Sequence, residues 1–292
     1  MELQWPLILF TTLLAWSAGV FASQSVLALK GRAAKAQIPS LVVAFVLMVV
    51  GGIAVFFHLQ HWERIFNGFG HITSGITQEL IVVVLLFVMM VVYFLLARKN
   101  DGKVPAWAAV VAIVLSVALT IVMAHSYMMA ARPAWNSIAW PLYVLGNACA
   151  LGPATVAVVC NVVKESEDGS SLALINVIGS VANAVFSAFY AVVLSMASSG
   201  FASVEWYFDP TEPNARLFDA ASVTPLAPDS AALFIVGALI VGAVAPIVCA
   251  LMGKKQGKWN VWGAAIVVCS LVGAICMRVV FYQMGASVFT LY

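Results

Sequence analysis

Residues 80–97 read LIVVVLLFVMMVVYFLLA, a run with no charged residue, and the next two residues are Arg98 and Lys99. At ~1.5 Å per helical residue the run covers about 27 Å, close to the ~30 Å hydrocarbon core of a bilayer. Working outward, comparable apolar runs occupy 6–29, 39–59, 105–131, 141–163, 171–197, 230–252 and 259–282. A chain of 292 residues that is 63% hydrophobic and 9% charged is outside the composition of soluble domains. Lipid forces backbone hydrogen bonds to close within a segment, and these runs are too long and too uniformly apolar for barrel strands. The reading is an all-α membrane protein with eight transmembrane helices, a single polytopic domain over 1–292 in the inner (cytoplasmic) membrane.

Basic residues set the orientation. The first, third, fifth and seventh gaps hold Lys30, Arg32, Lys35, Arg98, Lys99, Lys103, Lys164, Lys254, Lys255 and Lys258. The other gaps hold only Arg64, Arg132 and Arg216. Lys and Arg favour the cytoplasmic side, so both termini are expected on the outer, periplasmic side. Glu165, Glu167 and Asp168 outnumber Lys164 in the fifth gap, but acidic residues count little in this rule.

Several classes are excluded. The first run has no basic leader and is too long for the core of a cleavable signal peptide. A net charge of +2 without a basic stripe argues against nucleic acid. Cys149, Cys160, Cys249, Cys269 and Cys276 lie inside runs and form no C-x-x-C pair, so they read as small apolar fillers. No phosphate-binding or dinucleotide-binding fingerprint occurs. With almost no mass outside the membrane, any cluster or active-site metal belongs to a partner.

The outer gaps carry the unusual chemistry. Residues 60–77 mix Trp62, Phe66, Phe69, His61 and His71 with glycines, and 132–140 read RPAWNSIAW. The sixth gap sets Glu205, Asp209, Glu212, Asp219 and Asp229 against Arg216, with Pro210, Pro213, Pro225 and Pro228 opposing a plain helix. A loop that long reads either as solvated surface or as a docking surface for a soluble partner. Tyr127, Trp135, Trp140, Trp206 and Tyr207 fit an interfacial aromatic belt.

Ionisable residues near the membrane are costly and point to function. His58 ends the second run, Glu79 opens the third, His125 and Arg132 end the fourth, and Arg278 lies 20 residues beyond Lys258 in the eighth, near the outer interface and about one turn before Tyr282 and Gln283. The orientation puts all of them at one face. Each has a plainer reading: Glu79 at a helix N-terminus, His58 bonded to its loop, His125 structural, Arg278 snorkelling to headgroups. As a set they suit a polar headgroup on an apolar tail, such as a quinol. A neutral imidazole accepts a bond from a quinol hydroxyl, a buried carboxylate takes the proton, and an Arg stabilises the developing charge or pairs with the Glu at rest.

These residues also carry a resemblance. Gln4-Trp5-Pro6-Leu7 with Phe10-Thr11, Phe57-His58-Leu59 through Phe66-Asn67 and Ser74 to Gln78-Glu79, Ser137-Ile138-Ala139-Trp140-Pro141, Leu151-Gly152-Pro153, and Met277 through Tyr282 occur in that order. The chain resembles the membrane-anchor subunit of bacterial dimethyl sulfoxide reductase, the DmsC family, and more distantly the anchors of polysulfide and nitrite reductases. The resemblance implies menaquinol as electron donor and two partners, a ferredoxin-like four-cluster iron–sulfur subunit and a molybdopterin catalytic subunit. It implies no haem, flavin or metal in this chain. It places His58 and Glu79 at the family's quinol-site His and acid, and Arg278 at an Arg of its last helix. Tyr282 is grouped with them as quinol-binding. Gln60 stands where the family usually has Gly, and the sequence of the long acidic loop departs from the family's pattern.

Two other classes compete. A haem-b anchor needs axial histidines facing each other across helices; His58 and His125 lie at one depth and allow one haem, and no histidine lies in the inner half for a second. A solute transporter favours helices broken at corresponding places in two halves, whereas Pro153 and Pro246 both fall in the second half.

Overall fold

The computed structural model describes residues 3–59, 61, 67, 70–165, 169–202, 211 and 219–288. Eight helices are long and apolar enough to cross a membrane. They are α1 (Trp5–Leu29), α2 (Ala34–Phe56), α3 (Gly75–Lys99), α4 (Ala106–His125), α5 (Ala139–Val162), α6 (Gly169–Ser195), α7 (Leu233–Gln256) and α8 (Trp259–Gln283).

The helix ends differ from the hydropathy runs for local reasons. α2 begins at Ala34 and carries Pro39 inside it as its sixth residue, where the ring leaves the Lys35 carbonyl without a helical N–H. α4 stops at His125 although apolar residues continue to Ala131; Ser126 turns its hydroxyl onto the Met123 carbonyl and the chain bends towards Pro133. α2 ends at Phe56, so His58 lies in the turn beyond it. α7 is wide, with π-type winding over Leu233–Val244 before an α-helical Ala245–Gln256. Pro246 explains the widening. In α-helical winding its ring would collide with the Gly242 carbonyl and its nitrogen would offer that carbonyl no hydrogen.

α1 and α5 form the centre and pack on most of the other helices. Small residues let them close: a Cβ on Gly19 would strike the Ala148 backbone, and one on Gly152 would strike the Gly19 backbone. Polar side chains join helices where lipid offers no hydrophobic drive between them. The Trp16 indole donates to Thr155 Oγ1 (2.7 Å), Ser17 donates to the Ala44 carbonyl (2.6 Å), and Tyr93 donates to Gln37 Oε1 (2.9 Å). α3, the most uniformly apolar helix, is also the least buried in protein, as a lipid-facing helix should be.

Side-chain bonds show which helix ends lie together. His58 meets Gln4, Ser126 meets Glu79, the Val288 N–H donates to the Ala131 carbonyl, and Arg132 donates to the Gly285 carbonyl. The start of α1 and the end of α8 therefore share one end of the bundle with the α2–α3 and α4–α5 connections. At the opposite end Arg32 donates to Ser171 Oγ (2.9 Å) and the Lys35 N–H donates to Glu165 Oε2 (3.0 Å). The four basic-rich gaps belong to that opposite end.

Candidate functional site

Glu79 lies one turn into α3 and is 8% exposed. α3 starts against the end of α4, where a Cβ on Gly75 would sit 3.0 Å from Ser126 Cα. Ser126 Oγ is 2.8 Å from Glu79 Oε2 and 2.7 Å from the Met123 carbonyl. One hydroxyl hydrogen serves one acceptor at a time. With Glu79 ionised, Ser126 donates to it. With Glu79 protonated, the acid donates to Ser126, which turns its own hydrogen to Met123. The other carboxyl oxygen, Oε1, is buried with no hydrogen-bond partner among the described residues.

Arg278 is 1% exposed. Its Nε donates to Thr11 Oγ1 (2.9 Å), Nη1 to Asn147 Oδ1 (2.9 Å) and the Ala274 carbonyl (3.1 Å), and Nη2 to the Thr11 carbonyl (3.4 Å). All four acceptors are neutral, so the expected alternatives of snorkelling to headgroups and resting on Glu79 both give way. α1, α5 and α8 hold the guanidinium inside the bundle, away from water and without a carboxylate bonded to it.

Two phenols stand near both Glu79 and Arg278. Tyr127 and Tyr282 are within electrostatic reach of both charged residues. Burial first, then Tyr282 and Glu79, push the Tyr127 phenol well above its ordinary value. The Tyr282 hydroxyl is buried with the Tyr127 phenol as its neighbour, and the Trp140 indole N–H and the Tyr190 hydroxyl are buried with no hydrogen-bond partner among the described residues.

Aromatic rings pack beside these polar atoms. Trp140 stacks on Phe281 (4.0 Å, 17°), Phe281 stacks on Trp135 (4.5 Å, 10°), and Tyr282 meets Trp135 edge-on at 5.5 Å. The Arg278 guanidinium sits 5.7 Å from the Trp140 ring centre. Such pairs contribute ~0.5–1.5 kcal/mol each beyond area burial. Trp135 and Trp140 are 5% and 2% exposed, so they build the interior and are not interfacial belt residues as expected. Their place follows from the α4–α5 turn, where Arg132 stacks over Trp135 at 4.7 Å and the Trp135 indole donates to the Phe281 carbonyl (2.6 Å).

His58 is exposed, and its Nδ1 lies 3.1 Å from Gln4 Oε1. When Nδ1 carries the hydrogen and donates to Gln4, Nε2 is left as an acceptor. His58 and Glu79 are thus at one end of the bundle but bonded to different elements. His125 is also exposed, at the end of α4. Among the described residues no group of three or more His, Cys, Asp or Glu side chains could hold a metal ion. All the cysteines are free; Cys160 is buried and the other four are partly so.

Sequence reading missed Thr11, Ser126 and Asn147, each bonded to a charged residue here. Asn147 was findable as an amide inside an apolar run. Trp62, Arg64, Phe66, Phe69, Glu167, Asp168, Glu205, Trp206, Tyr207, Asp209, Pro210, Glu212, Pro213 and Arg216 lie outside the described residues.

In chemical terms the site offers a buried carboxyl with one open oxygen, a hydroxyl that serves either protonation state, unpartnered O–H and N–H donors, and a cation. Residues 1–284 match the family model of the DMSO reductase anchor subunit, DmsC. A comparison with curated proteins finds no match.

Proposed function

The chain belongs to the DMSO reductase anchor (DmsC) family, and from that premise we propose that it binds menaquinol at the end of the bundle bearing its termini and oxidises it. It is a multi-pass membrane protein and the anchor of a complex, which implies partner subunits. In this proposal an iron–sulfur subunit with four clusters docks on that end and passes electrons to a molybdopterin subunit. The same end is the outer, periplasmic one, because the basic gaps lie opposite.

The observation that carries the reading is Glu79: a buried carboxyl at the membrane end of a helix, with one oxygen on Ser126 and the other open. Menaquinol gives up two electrons and two protons. Glu79 takes a proton from one quinol hydroxyl as electrons leave for the partner's clusters and passes it to water at that end of the bundle, then takes the second; at each uptake Ser126 follows by turning from Glu79 to Met123. The Arg278 cation favours the negative charge that grows on the quinol oxygens. The Tyr282 hydroxyl and the unpartnered Trp140 indole orient the headgroup, and the stacked rings flank it. His58 binds at the rim, its Nε2 accepting from a hydroxyl.

The test compares reduction of dimethyl sulfoxide driven by quinol with reduction driven by a dye that feeds the partners directly, in membranes carrying Glu79→Gln. The proposal expects the quinol rate to fall while the dye rate marks intact complex. Equal loss of both rates would assign Glu79 to assembly.

A further inference from the structure

We propose that Asn147 and Asn183 are positioning residues for the quinol site, holding and orienting the Arg278 cation through a one-way hydrogen-bond chain that ends on α7. The inference rests on the quinol reading of the site. Arg278 can only donate, so its bond at 2.9 Å fixes Oδ1 of Asn147 towards it. The Asn147 Nδ2 group must then face away, and it donates to Asn183 Oδ1 at 3.0 Å. That in turn fixes Asn183, whose Nδ2 donates to the Gly242 carbonyl at 2.9 Å. Both amides are buried, at 3% and 1% exposed.

The last acceptor is available for a reason written in the sequence. Gly242 lies in the π-wound stretch of α7; α-helical winding would pair its carbonyl with residue 246, which is Pro246 and has no N–H. Asn183 donates to that carbonyl from the side. The carbonyl ends of two amide dipoles and one backbone dipole thus point back along the chain towards the guanidinium. They lower the cost of burying it without neutralising it. A guanidinium has five N–H groups, and the four hydrogen bonds described leave one on Nη2 uncommitted. The chain α5–α6–α7 therefore keeps a full positive charge, with a donor to spare, beside Trp140 and the phenols. A carboxylate at position 147 would have neutralised it.

The experiment measures kcat and KM for a short-tailed menaquinol per assembled complex, with complex quantified by the dye-driven rate. The variants are Asn147→Asp, Pro246→Ala and, as reference, Glu79→Gln. Asn147→Asp keeps size and keeps an acceptor for Arg278 but cancels its charge. Loss of a preorganised charge of this kind typically costs ~10²–10³ in kcat, so a fall of at least about tenfold is expected with KM little changed. Pro246→Ala restores an N–H and lets the stretch revert to α-helical winding, in which that N–H pairs with Gly242 and leaves Asn183 competing for the carbonyl. It touches no polar side chain and favours helix, and kcat should fall about two- to fivefold, the worth of one weakened neutral bond.

A purely structural role would change the amount of complex and leave kcat per complex alone. Wild-type kcat in both variants, with Glu79→Gln slow, would overturn this inference and leave the quinol site standing. Wild-type kcat in all three would overturn the site itself. Should Asn147→Asp not assemble, Pro246→Ala decides alone, and an unchanged kcat there overturns the chain.

Discussion

Ser126 and Glu79 share a hydrogen bond of 2.8 Å between the end of α4 and the start of α3, and Ser126 has a second acceptor, the Met123 carbonyl, at 2.7 Å. The hydroxyl therefore has a partner whether Glu79 holds a proton or not. Ser126→Ala removes this adjustment and leaves the carboxyl without its one bond. Quinol-driven turnover per complex should fall about two- to tenfold, the range for one hydrogen bond. An unchanged rate would mean that Glu79 works without Ser126.

His58 stands apart from that pair, exposed and bonded to Gln4. In the proposal it is a rim acceptor for a neutral hydroxyl and would contribute to binding more than to proton transfer. His58→Ala should raise KM for quinol about two- to tenfold with a smaller effect on kcat. Gln4→Ala, which frees the ring tautomer, should act in the same direction and more weakly. A fall in kcat with KM unmoved would place His58 in the proton path.

Packing makes its own prediction at the centre of the bundle. Gly19 has the Ala148 backbone where a side chain would go, and Gly152 has the Gly19 backbone. Backbone cannot yield as a flexible side chain can. Gly19→Leu should abolish the folded subunit, seen as loss of protein in membranes, whereas Gly52→Leu, with open space around it, should accumulate normally. Equal accumulation of both would contradict the close α1–α5 contact.

Orientation is tested with reporter fusions. Fusions after Lys35, Lys103 and Lys258 should report cytoplasm, and fusions after Asp219 and Tyr292 should report the periplasm. A cytoplasmic signal after Tyr292 would reverse the placement of the quinol site.

The eight helices were legible because lipid demands long apolar runs, and hydropathy reads length directly. Hydropathy does not read helix ends. Met128 to Ala131 are apolar yet lie beyond α4, since Ser126 and Pro133 turn the chain first. Charged residues were legible for the same reason that they are costly: Glu79 and Arg278 stand out in apolar text. Their partners were not. Thr11, Ser126 and Asn147 are ordinary polar residues in composition, and only the packing of α1, α4 and α5 brings each to a charge. Trp135 and Trp140 match a membrane-interface pattern equally well, and the close approach of α5 to α8 is what buries them.

The central claim is that Glu79 accepts a proton from quinol. Glu79→Gln keeps the shape and can still hydrogen-bond Ser126, but it cannot take the proton. The decisive measurement is the ratio of quinol-driven to dye-driven dimethyl sulfoxide reduction in the same membranes, wild type against Glu79→Gln. Loss of a general base costs ~10²–10⁴-fold, so the ratio should fall by about a hundredfold or more. A ratio equal to that of the wild type would show that quinol is oxidised without this carboxyl.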